Sequence, residues 1–83
     1  MMSKKIKMYG TTWCSDCLRT KVFFNFNNIP FEYINIEKDD AARKYVVNVN
    51  PEGNQSVPVI EIEGVNEILI EPTISKLKEI LNI

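Results

Sequence analysis

The segment from Lys5 to Ile36 constrains the fold most. Lys5-Ile6-Lys7-Met8-Tyr9 alternates polar and apolar residues and stops at Gly10, which reads as a strand. The loop Thr11-Thr12-Trp13-Cys14 leads into a helix from about Cys14 to Asn27, and Asn27-Asn28 followed by Pro30 supplies its stop. Phe31 to Ile36 is rich in aromatic and β-branched residues and reads as a second strand. Strand, helix and strand in such close succession imply two parallel strands joined by a right-handed crossover. Leu18, Val22 and Phe26 recur at i, i+4 and i+8, so they are the predicted core stripe of the helix. Phe23 and Phe24 are assigned to the core together with Phe26.

Asp39-Asp40 opens a second helix with acid near its positive end, and Glu37-Lys38-Asp39-Asp40 is read as that helix start rather than a metal site. Ala42, Tyr45, Val46 and Val49 form its inward face. Asn50-Pro51-Glu52-Gly53-Asn54 is a turn cluster. Val57 to Ile62 reads as strand three, Gly64 as a turn and Asn66 to Ile70 as strand four. Pro72 suits the first turn of a last helix, with Ile74, Leu77 and Leu81 facing the core. The order is βαβαββα, closing on an antiparallel hairpin. That makes an α/β chain with a four-stranded mixed sheet flanked by three helices. At 83 residues there is room for one domain, 1–83.

Composition narrows the chemistry. The chain has no histidine, which excludes Ser–His and Cys–His catalysis and any His-ligated metal within one chain. Ten basic and eleven acidic residues leave a net charge of -1, no footprint for nucleic acid or an anionic membrane. No run approaches the ~18 apolar residues of a membrane span. Met1-Met2-Ser3-Lys4-Lys5 lacks the apolar core of a secretory leader, so the cytoplasm is the expected location.

What remains is the pair of cysteines in Cys14-Ser15-Asp16-Cys17, at the junction of the first strand and its helix. Free N–H groups and the helix dipole at such a junction favour a thiolate. Cys14, at the cap, is the candidate nucleophile. Cys17, three residues on, points back to the same face and is placed to resolve a mixed disulfide on Cys14. Trp13 either shields one side of the nucleophile or simply packs on the core. Arg19 and Lys21 are read as solvated helix charges that add positive potential, with Asp16 opposing them. Other readings of the same cysteines are a static disulfide, which is unusual in the cytosol, and a dimeric metal or iron–sulfur module pooling the thiolates of two chains. The second element is Ser56-Val57-Pro58. Proline cannot donate to a sheet ladder, so Pro58 marks a strand start or edge, in trans or in cis. A cis bond there would turn the Val57 backbone outward, free to pair with an extended peptide or a thiol.

Trp13-Cys14-Ser15-Asp16-Cys17, followed about 40 residues on by Ser56-Val57-Pro58, resembles the glutaredoxin branch of the thioredoxin superfamily over essentially the whole chain. Asn50 to Pro58 and Leu69-Ile70-Glu71-Pro72-Thr73 are most similar to short bacterial mycoredoxin-type and glutaredoxin-like proteins. The resemblance implies a thioredoxin fold and disulfide reductase or deglutathionylase-like activity, with a resolving Cys17 and a cis Pro58. It implies a thiol site at the Val57 backbone, bordered by Ser56, Thr12 and Trp13, that takes glutathione or an analogue as co-substrate with no tightly bound cofactor. The partners implied are a disulfide-containing protein or a small-thiol mixed disulfide, met by a monomer. Regeneration falls to a small thiol or, in a thioredoxin-like carrier, to a flavoenzyme such as thioredoxin reductase. Two departures stand out. Thr11 occupies the place of a lysine that many glutathione-dependent members carry. Gly64-Val65-Asn66-Glu67 and Glu71-Pro72-Thr73 fill the region of their paired-glycine and aspartate motif.

Overall fold

The computed structural model describes residues 5–83; residues 1–4, most of the stretch on which the leader reading rests, lie outside them. Strand β1 (Ile6–Gly10), helix α1 (Ser15–Phe26), strand β2 (Glu32–Asn35), helix α2 (Asp40–Val49), strands β3 (Val59–Ile62) and β4 (Leu69–Ile70) and helix α3 (Ile74–Leu81) follow in the predicted order. The sheet runs β2-β1-β3-β4. β1 pairs in parallel with β2 and antiparallel with β3, and β3 and β4 form an antiparallel hairpin. The turn cluster before β3 contains a short 3₁₀ turn over Pro51–Gly53.

Side chains alternate across a strand, so Met8 and Gly10 share one face of β1 and Tyr9 takes the other. Gly10 abuts Cys17 of α1. The Tyr9 ring packs on Tyr45 of α2, centroids 5.0 Å apart. The two helices therefore cover opposite faces, and β1 is buried on both: Ile6, Met8 and Tyr9 are all core. Polar side chains close the helix ends. The Asp39 carboxylate accepts the Ala42 N–H at 3.0 Å at the start of α2. Past α1, Asn28 takes a left-handed φ of 56° and the Ile29 N–H returns to the Phe24 carbonyl at 2.8 Å. No helix among the described residues is long and apolar enough to cross a membrane.

The structure corrects the sequence reading of α1. Leu18, Val22 and Phe26 face solvent, Phe26 with 84% exposure. The buried face is Cys17, Thr20, Phe23 and Phe24. Both sets have helical spacing and lie on nearly opposite faces of the helix, about 170° of rotation apart, and periodicity alone does not choose between them. Thr20 disguises the true face. Its hydroxyl donates to the Asp16 carbonyl at 2.9 Å, which satisfies a polar group inside the core.

Smaller differences have local causes. β3 starts at Val59 rather than Val57, because Pro58 has no N–H to give the ladder. β4 keeps only two residues of the predicted five. Pro72 precedes α3 instead of lying in its first turn, because Thr73 is the cap: its Oγ accepts the Lys76 N–H at 3.1 Å. On α3, Leu77 is fully buried while Ile74 and Leu81 are half-buried at the core's edge.

Candidate active site

Cys14 is the N-cap of α1, with extended backbone (φ -85°, ψ 116°). Its sulfur occupies the place of the oxygen that usually caps a helix, and the Cys17 N–H donates to it at 3.1 Å. Cys14 is half-buried and reachable; Cys17, one turn in, is fully buried. Burial pushes the Cys17 thiol up to about 12, helped by its hydrogen bond with the Cys14 side chain; a backbone hydrogen bond from Thr11 and the Lys21 charge act the other way.

The fold brings Val57 to this pair from 43 residues away, its carbonyl 3.8 Å from the Cys14 sulfur. The Val57–Pro58 peptide bond is cis, and Pro58 is fully buried. Ser56 is half-buried beside them. The buried Asn50 anchors this segment to α2: its side-chain amide donates to the Val46 carbonyl at 2.8 Å and to the Ser56 carbonyl at 3.3 Å.

Below the cysteines the approach is close. A Cβ on Gly10 would meet the Cys17 sulfur at 2.7 Å and the Tyr33 ring at 3.3 Å, so only glycine fits there. Lys21 is not a freely solvated charge. Its Nζ lies 3.5 Å from the Tyr33 ring centroid, a cation–π contact beneath the site. Burial raises Tyr33's pKa, with the nearby Cys17, Glu37 and Cys14 adding to the shift. Asp16 pairs with Arg19 at 2.8 Å, with both side chains at least half exposed, so the two charges flanking the dithiol are spent on each other.

Trp13 and Thr12 are exposed, and both lead to a residue the sequence reading had given to a helix start. The Trp13 indole N–H donates to Glu37 Oε2 at 2.8 Å, and the Thr12 hydroxyl donates to Glu37 Oε1 at 3.4 Å. Of the acidic run 37–40, Asp39 and Asp40 belong to α2 as cap and first turn, whereas Glu37 belongs to the site. A separation of 24 residues leaves no local pattern to reveal this. Gly10 was legible only as the end of a strand, and Asn50 only as part of a turn.

The raised Cys17 thiol makes stability pH-dependent. Between its ordinary value of 9.0 and about 12, the unfolded chain releases a proton that the folded chain keeps. The unfolded state then binds fewer protons, so stability present below that window is lost as pH rises through it. Urea unfolding of the reduced protein between about pH 8 and about pH 11 should show this decline. Cys17→Ala should decline less steeply. Tyr9 and Tyr45, raised chiefly by burial, contribute to both proteins, and Tyr33, also raised chiefly by burial, loses in the variant only the lesser part that Cys17 adds. Parallel curves would mean that Cys17 titrates normally.

The family profile described as Glutaredoxin matches residues 6–66. A Mycobacterium tuberculosis protein whose name assigns it, provisionally, to the glutaredoxins is 32% identical over 78 residues, covering 94% of this chain and 90% of that one. The crystal structure of a glutaredoxin from Archaeoglobus fulgidus superposes with a TM-score of 0.72 at 31% identity, covering 94% of this chain and 86% of that one. A variant of a thioredoxin-like protein superposes with a TM-score of 0.79 at 32% identity, covering 94% and 95%. The fold is thioredoxin-like, and with the paired thiols it defines the class: a glutaredoxin-like thiol redox protein. The chain belongs to the glutaredoxin family.

Proposed function

We propose that this protein is a thiol–disulfide oxidoreductase in which Cys14 is the nucleophile and Cys17 the resolving thiol. The observation that carries the reading is the sulfur cap: Cys14 holds the N-terminus of α1 through the Cys17 N–H, at a reachable position, with the second thiol buried behind it. The Cys14 thiolate attacks one sulfur of a substrate disulfide. A new S–S bond forms, the old one breaks, and the leaving sulfur departs as a thiolate. Cys17 then attacks the Cys14 sulfur and passes its proton to the second departing sulfur. Two electrons have moved to the substrate, which leaves as a dithiol once its first thiolate takes a proton from water, and Cys14 and Cys17 are joined. A high pKa suits Cys17, because it keeps the second thiol protonated until the mixed disulfide has formed.

The Val57 backbone, with Ser56, Pro58, Thr12 and Trp13 around it, is the proposed seat for an extended partner segment or a small thiol. The protein acts as a cytoplasmic monomer on a protein disulfide or a small-thiol mixed disulfide, with no tightly bound cofactor. Thr11 bears on the reductant: it is buried and uncharged, with a hydroxyl that finds no partner, so it offers no ion pair to a carboxylate of glutathione.

The test is to present the oxidised protein in parallel with glutathione, with mycothiol, and with thioredoxin reductase plus NADPH, and to follow the adducts by mass spectrometry. Fast reduction by one small thiol, with its adduct on Cys14, makes that thiol the co-substrate. Reduction by the flavoenzyme alone makes the protein a thioredoxin-like carrier. Inertness towards all three would sink the oxidoreductase reading and favour a metal or cluster carried on the same cysteines.

A further inference from the structure

The indole of Trp13 lies beside the nucleophile yet is 74% exposed, so core packing does not hold it in place. What fixes it is a carboxylate from the far side of the crossover. Glu37 accepts the Trp13 indole N–H on one oxygen at 2.8 Å and the Thr12 hydroxyl on the other at 3.4 Å. It thereby clamps the two residues that precede Cys14. Glu37 is itself held: its backbone N–H donates to the Asn35 side chain at 2.9 Å, and the Lys38 N–H closes the same turn on the Asn35 carbonyl at 3.1 Å. Thr12 and Trp13 after β1 thus form one hydrogen-bonded unit with Asn35, Glu37 and Lys38 at the end of β2, spanning the parallel strand pair.

We propose that Glu37 is a positioning residue: it acts through Trp13, holding the indole as a fixed wall at the approach to Cys14, against which a partner's disulfide-bearing segment lies. Hydrogen bonds to a charged acceptor are the stronger kind, and an exposed indole freed from one has open rotamers in which it sweeps the approach. Holding it costs the partner nothing at the moment of binding, because the ordering is already complete. The inference rests on Cys14 being the reacting atom. It concerns binding of the partner and leaves the sulfur chemistry to the cysteines.

Trp13 is the only tryptophan in the chain, so its fluorescence reports on the wall directly. Glu37→Ala should lower the anisotropy of Trp13 and change its emission in the resting protein, with no substrate present. It should raise KM for a protein disulfide by about tenfold, the scale of one charge-assisted hydrogen bond, with kcat within about twofold of the native value. Glu37→Gln keeps an oxygen for the indole N–H and an amide for the Thr12 hydroxyl but loses the charge, so it should restore the anisotropy and most of the KM. Unchanged anisotropy in Glu37→Ala, an unchanged KM, or a Gln variant that behaves like Ala would each overturn the proposal. Failure of the underlying redox reading looks different: the native protein itself would then show no turnover, while the anisotropy change would persist.

Discussion

Cys14→Ser should reduce turnover of a protein disulfide by at least about a thousandfold, the loss typical of removing a nucleophile, while leaving the fold intact. Both halves follow from where the residue sits. In the proposed mechanism Cys14 supplies the attacking sulfur, and a serine hydroxyl is far too weakly acidic to replace it at neutral pH. Cys14 is also the cap of α1, and serine is among the best caps, so the helix keeps its N-terminal partner. The lost activity is then chemical, which urea unfolding checks by giving a midpoint close to that of the native protein. Cys17→Ser behaves differently. It retains the first attack, releases one thiol per chain and stops as a mixed disulfide on Cys14, visible as an added mass. A Cys14→Ser variant that keeps its activity would remove the mechanism. A Cys17→Ser variant that never forms the adduct would reverse the two roles.

Two phenylalanines two residues apart should give opposite results. Phe24 is fully buried, its ring 5.0 Å from that of Phe31 and 5.7 Å from that of Phe23. Phe24→Ala removes the largest fully buried side chain and should cost about 3–5 kcal/mol. A chain of this length has about 4–12 kcal/mol in total, so the variant stands at the edge of unfolding. Phe26 is on the solvent side of the same helix, and Phe26→Ala should change stability by about 0.5 kcal/mol or less. Denaturant midpoints of the two variants, read with a common slope, decide the matter. Equal losses at both positions would mean that the exposed stripe of α1 is packed after all, as its periodicity first implied.

Much of the architecture was legible because its signals are local. Alternation in β1, the Gly and Pro punctuation, the helix-start dipeptide Asp39-Asp40 and the Gly64 turn gave the elements and their order, and chain handedness gave the parallel crossover. The dithiol was legible for the same reason, since its two residues share one helical turn. The features that escaped are those in which local spacing is degenerate or silent. α1 carries apolar residues on two faces, and its true face includes a threonine, so the wrong stripe looked better. Glu37 stood among acids that do start a helix, and only the folded crossover puts it against Trp13. The glycine at position 10 shows its purpose only once Cys17 and Tyr33 converge on it.

The sulfur that caps α1 ties covalent state to helix stability. A free thiol or thiolate on Cys14 receives the Cys17 N–H. Once that sulfur is bonded to another it is a poorer acceptor, and the helix gives up part of the roughly 0.5–2 kcal/mol that a cap contributes. The weakened turn is the one carrying Cys17, and in the proposed mechanism it weakens in the intermediate where Cys17 has to move. Reciprocity runs the other way as well. Whatever tightens the first turn of α1 in the reduced protein favours the dithiol and makes its disulfide a stronger oxidant, as for any redoxin whose reduced form is selectively stabilised. The redox poise of this protein is therefore open to tuning by residues that never touch either sulfur, provided they act on that one turn of helix.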